Sequence, residues 1–272
     1  MSDLRNLLQI ACAAVDQAAS LVNRMAVGEV RAKGDRDMVS AIDLAVEERV
    51  RNFLAKETPE LGFLGEEEGS SLPAKELTWV LDPVDGTANL VNGIPLCAVS
   101  LGLVSGGTSV LGVIDLPFLT QRFTAAQGHG AHAGATPLAA SSINDLSQAV
   151  VAIGDYAVGA SAQERNRLRF AITHLLAERV LRVRMVGSAA IDLAWVASGK
   201  LDASIAMSNH PWDMAAGTAI AREAGALVLD ASGTEHDLLS SSTVAVAPEL
   251  RLPLLHLLDD ARAMTRNPVN DL

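Results

Sequence analysis

Two aspartates three positions apart, in Asp82-Pro83-Val84-Asp85-Gly86-Thr87, are the residues whose type and spacing most directly suggest chemistry. Pro83 disfavours helix at Asp82 and predicts a strand ending there, and Gly86 permits a tight turn just after. On such a turn two carboxylates can converge on one point. Facing each other alone they would repel, and one would take up a proton. With divalent cations between them both stay ionised and become hard oxygen ligands, as Mg²⁺ requires. A plain surface turn is the alternative, since Asp-Pro and Asp-Gly are common in turns. Other acids stand at a distance in the chain. Glu66 opens the run Glu66-Glu67-Glu68, which by itself reads as a solvated face. Asp43 and Asp213 each fall near a helix start, where the helix dipole alone favours an acid. Lys33 lies upstream of Asp43.

The bulk numbers limit what these acids can serve. The 272 residues suffice for one large domain or two ordinary ones sharing an interface. A formal charge of −11 argues against nucleic acid as a partner, because its phosphates would be repelled by most of the surface. The same charge is awkward for any phosphorylated ligand unless bound cations invert it locally. Aromatics make up 3% of the chain, so the core must be built from Ala, Val, Leu and Ile. Cys12 and Cys97 sit in apolar stretches without metal-ligand spacing and read as reduced thiols of a cytoplasmic protein. The N-terminal residues lack a signal-peptide pattern, and the apolar run 96–104 is too short to span a bilayer.

The elements that must position the acids follow from periodicity. Leu4, Leu7, Leu8, Ala11, Val15, Ala18 and Val22 predict a helix over 3–25, followed by a loop over 28–37. Ile42, Val46, Val50, Phe53 and Leu54 predict a second helix over 40–55. Trp79-Val80-Leu81 suits a strand ending at Asp82, and the runs 97–104 and 109–115 around Gly106-Gly107 form a hairpin, with a further strand at 121–125. A Gly/Ala/His-rich stretch over 126–140 leads towards a strand at 150–153. Beyond it helices at 162–178, 188–198 and 212–224 alternate with strands at 180–183, 203–206 and 226–229; Ser188 is an N-cap, and Gly199 and Gly225 are terminators. This pattern is α/β. It divides into a part over 1–145 carrying most of the acids and a part over 146–272 carrying Asp213.

Asp82-Pro-Val-Asp-Gly-Thr-Ala-Asn89, Gly187-Ser-Ala-Ala-Ile-Asp-Leu193, Trp212-Asp-Met-Ala-Ala-Gly217 and Arg222-Glu-Ala-Gly225, in this order and at these separations, resemble the inositol monophosphatase family of lithium-sensitive, metal-dependent phosphatases. The resemblance implies a layered α-β-α-β-α sandwich of the inositol monophosphatase and fructose-bisphosphatase type. It implies two or three Mg²⁺ ions. Glu66 and Asp82, with the carbonyl of Val84, would hold the first; Asp82, Asp85 and Asp213 the second; a weaker third would lean on Glu66 through water. Thr87, hydrogen-bonded to Asp43, would orient and deprotonate the attacking water, and Lys33 would tune the pKa values nearby. The amides of Gly86 and Thr87 would cradle the phosphate, and Gly187, Ser188, Ala189, Asp85 and Asp213 would contact the substrate. The implied reaction is in-line hydrolysis of a small phosphorylated polyol or sugar by a Li⁺-sensitive cytoplasmic homodimer, with no membrane or nucleic-acid partner.

Departures from the family pattern bear on the substrate. Leu90 and Asn92 replace a common phenylalanine and histidine and alter packing beside the site; the stretch 136–140 lacks a common asparagine-glycine turn. Ala206 stands where inositol-handling members often carry a glutamate that bonds a substrate hydroxyl, which weakens the case for myo-inositol 1-phosphate as sole substrate. Ala88 differs from the lysine of sulfonucleotide phosphatases and the arginine of histidinol-phosphate phosphatases. A broad sugar phosphatase acting also on fructose 1,6-bisphosphate remains an alternative, as does a binding protein that keeps the fold. His129 and His132 read as loop residues, His210 as a neighbour of the site, and Trp212 as packing that sets the angle of the helix bearing Asp213.

Overall fold

The computed structural model describes residues 4–24, 30–34, 37–70, 76–208 and 210–266, with 30–34, 37–40 and 70 described by their backbone. The apolar stripe near the N-terminus forms helix α1 (Leu4–Arg24), which buries Leu7, Ala11, Ala14, Val15, Ala18 and Val22. Over 28–37, where the sequence predicts a loop, the described residues form an antiparallel hairpin of β1 (Val30–Gly34) and β2 (Asp37–Ser40). Its strands are only five and four residues long, too short for the Val30-Arg31-Ala32-Lys33 alternation to stand out, and mutual backbone pairing makes them strands. Helix α2 (Ala41–Glu57) follows with Ile42, Val46, Val50 and Leu54 buried at every fourth position.

Eight strands form the first sheet: β3 (Gly62–Gly65), β4 (Gly69–Ser70), β5 (Leu77–Asp85), β6 (Ala98–Ser105), β7 (Thr108–Leu116), β8 (Gln121–Ala126), β9 (Ala131–Ala133) and β10 (Thr136–Pro137). A short helix, α3 (Thr87–Val91), sits between β5 and β6. The order across the sheet is β10-β9-β8-β7-β6-β5-β3-β4, antiparallel except for the β3–β5 pair. The Gly/Ala/His-rich stretch thus supplies the short strands β9 and β10 at one edge.

The second half alternates as predicted: β11 (Val150–Ile153), α4 (Ala162–Arg179), β12 (Arg182–Arg184), α5 (Ala189–Ala197), β13 (Ala203–Ala206), α6 (Pro211–Glu223) and β14 (Leu227–Leu229). It continues with β15 (Thr243–Val246) and α7 (Arg251–Arg266). The second sheet runs β12-β11-β13-β15-β14, with β12, β11 and β13 parallel and β15 antiparallel to both its neighbours.

Side-chain packing stacks five layers: α1 with α2, the eight-stranded sheet, α5 with α6, the five-stranded sheet, and α4 with α7. One apolar cluster, including Ile114, Phe123, Ile191, Met214, Ile220 and Val228, joins both sheets through α5 and α6. The core is aliphatic as composition requires; Phe63, Trp79 and Phe123 are the buried aromatics among the described residues. Helix α6 lies directly on β6 and β7, because Gly102 and Gly112 leave room for it. A methyl at Gly102 would fall 2.7 Å from Ala215 Cβ, and one at Gly112 would strike the Ala216 carbonyl. No helix among the described residues is long and apolar enough to cross a membrane.

Candidate active site

Strand β5 does not end at Asp82 as the sequence predicts; it runs through Pro83 to Asp85. Asp82 pairs with Ser100 and Asp85 with Ala98, so three steps of β5 oppose two of β6. That is a β-bulge, and it suits Pro83, which has no N–H to give the ladder. The bulge also solves a problem of direction. Residues three apart on a regular strand point to opposite faces, but the extra residue puts both aspartates on the face shared by Ser100 and Ala98.

Asp82 is buried, and its Oδ1 accepts the Val84 amide at 3.0 Å. Its pKa is raised well above the ordinary value by burial first, then by the charges of Glu66, Asp85 and Asp213, and by a hydrogen bond with Glu66. Asp85 is pushed up to about 7, by burial and then by Asp213, against the pull of two donors. Those donors are Ser188 Oγ and the Ala190 amide, both 2.6 Å from Asp85 Oδ2. Ser188 also caps α5, as predicted, by accepting the Ile191 amide at 3.2 Å. Asp213 accepts the His210 amide at 3.0 Å, and the His210 and Trp212 rings stack with centroids 4.9 Å apart. His210 and Trp212 therefore fix the start of α6.

Beside this group, Thr87 Oγ1 lies 3.1 Å from Asp43 Oδ1 and 3.0 Å from the Val84 carbonyl. One hydroxyl proton serves two acceptors, and Asp43 is fully buried on α2. Lys33 lies in β1, and its side chain falls outside the described residues. Asn89 Nδ2 donates to the carbonyls of Leu96 and Val186, at 2.8 and 2.9 Å, which ties the α3 turn to the segment before α5. Gly187, at φ +76, packs against that amide.

Asp82 thus feels the charges of Glu66, Asp85 and Asp213, and Asp85 feels those of Asp213 and Glu66. Among the described residues, no three or more His, Cys, Asp or Glu side chains are gathered closely enough to hold an ion as they stand. The group fits a hard divalent cation by its chemistry: its donors are all oxygen, and the burial and neighbouring charges that raise the pKa of Asp82 would be offset by a bound cation. Burial and the nearby Asp85 and Asp43 push the Cys97 thiol up to about 12, so it supplies no thiolate nucleophile.

A cleft of about 350 Å³ opens beside Asp85 and Asp213 and is lined also by Gly187, Ser188, Ala189 and Ala206. That volume suits a small molecule. The cleft holds groups that sequence reasoning missed, among them Asp155, Tyr156, Arg165 and Asp192. Asp192 is buried, its Oδ1 has no hydrogen-bond partner among the described residues, and burial followed by Asp85 and Asp155 raises its pKa well above normal. Its sequence signals were its place in the phrase Gly187-Ser-Ala-Ala-Ile-Asp-Leu193 and an acid inside an otherwise apolar helix.

Gly86 turns the chain between Asp85 and Thr87 at φ +91, and a methyl there would meet the Leu96 carbonyl at 2.9 Å and the Gly187 carbonyl at 3.2 Å. Gly86→Ala is expected to lower stability by about 1–3 kcal/mol, the usual cost of such backbone strain, and to impair turnover further by displacing Thr87. Thermal melts and kcat measured on the folded fraction check both effects.

Comparison with known proteins places these features in context. The model of the inositol monophosphatase family matches residues 3–262. A probable inositol 1-monophosphatase, ImpA of Mycobacterium tuberculosis, is 35% identical over 254 residues, covering 93% of this chain and 93% of its own. The crystal structure of the extragenic suppressor protein suhB from Bartonella henselae superposes with a TM-score of 0.87 at 31% identity, covering 93% of this chain and 98% of its own. An IMPase/NADP phosphatase solved with Mg²⁺ and phosphate shares the fold at a TM-score of 0.81 and 22% identity, covering 93% of this chain and 95% of its own.

Proposed function

The chain belongs to the inositol monophosphatase family, whose members are phosphoric monoester hydrolases, and from that premise we propose that it hydrolyses inositol monophosphate or a related small polyol or sugar phosphate with Mg²⁺. The observation that carries this reading is the charge trap around Asp82, where burial and the charges of Glu66, Asp85 and Asp213 raise its affinity for a positive partner, a proton or a cation. Glu66, Asp82, the Val84 carbonyl, Asp85 and Asp213 would hold two or three ions. When bound, Mg²⁺ supplies Lewis acidity towards water and neutralises the phosphoryl oxygens.

The chain's own groups do the rest. Asp43 Oδ1 holds Thr87 Oγ1 so that the hydroxyl can accept a proton from the attacking water while passing its own to Asp43. The water oxygen bonds to phosphorus as the ester P–O bond breaks in line, and the leaving alkoxide takes a proton from solvent. The amides of the Gly86–Thr87 turn receive the phosphate. Ser188 and the Ala190 amide keep Asp85 aimed at the cleft, and Gly187, Ser188 and Ala189 border the polyol. Lys33 tunes the site from β1. The active protein is a cytoplasmic homodimer inhibited by Li⁺.

A broader sugar phosphatase, with fructose 1,6-bisphosphate among its substrates, is favoured by two features of the cleft. Ala206 offers no carboxylate to a cyclitol hydroxyl, and Arg165 lines the same cleft as a cation for a second phosphate. A panel of phosphate esters assayed over a Mg²⁺ titration separates the two. Turnover that survives exhaustive chelation would sink both. Ala206→Glu is expected to raise the preference for myo-inositol 1-phosphate over the bisphosphate by roughly tenfold or more, since a charged hydrogen bond contributes about 1.5–3 kcal/mol. The ratio of kcat/KM values measures it.

A further inference from the structure

One turn beyond Asp43 on α2 lies a second buried acid, Glu47, exposed by 1%. Its carboxylate faces the Glu66-Glu67-Glu68 turn: Oε2 accepts the Glu67 amide at 2.8 Å, and Oε1 accepts the Glu68 amide at 3.0 Å. Arg51, one helical turn further, places Nη2 2.5 Å from Glu47 Oε1 and 3.3 Å from Glu68 Oε2, with its guanidinium 4.6 Å from the Phe63 ring centroid. Gly65 is the one residue type that fits beneath this carboxylate, because a Cβ there would collide with it. The Glu66 amide itself bonds the Leu81 carbonyl at 3.2 Å, beside Asp82. Glu66 is therefore gripped on both sides: its own amide by β5, and the two following amides by Glu47.

A buried carboxylate paired with an arginine is a costly way to hold a surface turn, since both charges lose water. It is an effective way to hold one backbone segment at one distance from β5. We propose that Glu47 is a positioning residue for Glu66: its clamp on the Glu67 and Glu68 amides, completed by Arg51 and Gly65, sets where the Glu66 carboxylate meets Asp82. This inference rests on the proposed role of Glu66 as a cation ligand. Groups that orient a ligand in this way typically change metal affinity by about 10–100-fold when removed.

A double-mutant cycle on Mn²⁺ binding, followed by electron paramagnetic resonance on the folded full chain, tests the clamp and separates it from general loss of structure. Glu66→Gln alone is expected to weaken Mn²⁺ binding; if it does not, the ligand role of Glu66 falls and the clamp's purpose with it. Given that loss, Glu47→Gln is expected to raise the Mn²⁺ dissociation constant by about tenfold in the parent and to add little to Glu66→Gln. An unchanged dissociation constant in Glu47→Gln overturns the proposal, and so does an equal loss whether or not residue 66 is a glutamate. Should Glu47→Gln not fold, Gly65→Ala completes the same cycle, because it displaces the carboxylate while retaining both charges.

Discussion

An Asp85→Asn protein is expected to lose roughly a thousandfold in kcat/KM, the size of effect that follows when several kcal/mol of charge stabilisation are removed from a phosphoryl site. It should nevertheless fold at least as well as the parent in the absence of metal. Ser188 Oγ and the Ala190 amide, each 2.6 Å from Oδ2, can donate to an amide oxygen as they do to a carboxylate. Meanwhile the substitution removes a charge that Asp82 and Asp213 repel. Stability and activity should therefore move in opposite directions. Paired melting curves and steady-state kinetics at saturating Mg²⁺ give the outcome. A variant that is both inactive and poorly folded would mean that residue 85 is structural instead.

The second large effect concerns pH. Without metal, Asp85 titrates at about 7 in the folded protein against an ordinary 3.8, so between those values the folded state holds the extra proton. Unfolding releases it, and stability from this group is full below about 4 and is lost as pH rises through about 7. In chelator, the parent is expected to lose melting temperature relative to Asp85→Asn across that window, and Mg²⁺ should restore it. Taking the difference between the two proteins cancels the titration of groups they share. A difference that stays flat with pH, or that grows in the parent's favour, would contradict the trapped charge.

Much of the architecture was legible because its signals were local. Helices α1 and α2 announced themselves by apolar spacing, α5 by Ser188, and α6 by the Gly225 stop. No element is predicted beyond residue 229, yet β15 pairs with both β13 and β14 there, and α7 covers the outer face of the second sheet. The hairpin β1–β2 escaped because its strands are only five and four residues long. For the site, the Asp82–Thr87 phrase identified the turn, but the bulge that puts both aspartates on one face depends on partners in β6. Asp192 and Glu47 escaped for a related reason. An acid on a helix looks solvated until tertiary packing buries it, and nothing nearby in sequence tells which amides or carboxylates it will meet.

The seat of α6 on Gly102 and Gly112 has a consequence for how this protein can fail. Asp213 is carried to Asp85 and Asp82 by a helix whose height above the sheet is set by two hydrogen atoms, and on its other flank Gly217 lets Leu193 of α5 lie as close. Uncharged positions that do not line the cleft therefore govern the reach of an acid that does. Damage to the chemistry can arrive as a single added methyl on the sheet beneath that helix, in a protein whose ionisable residues are all intact.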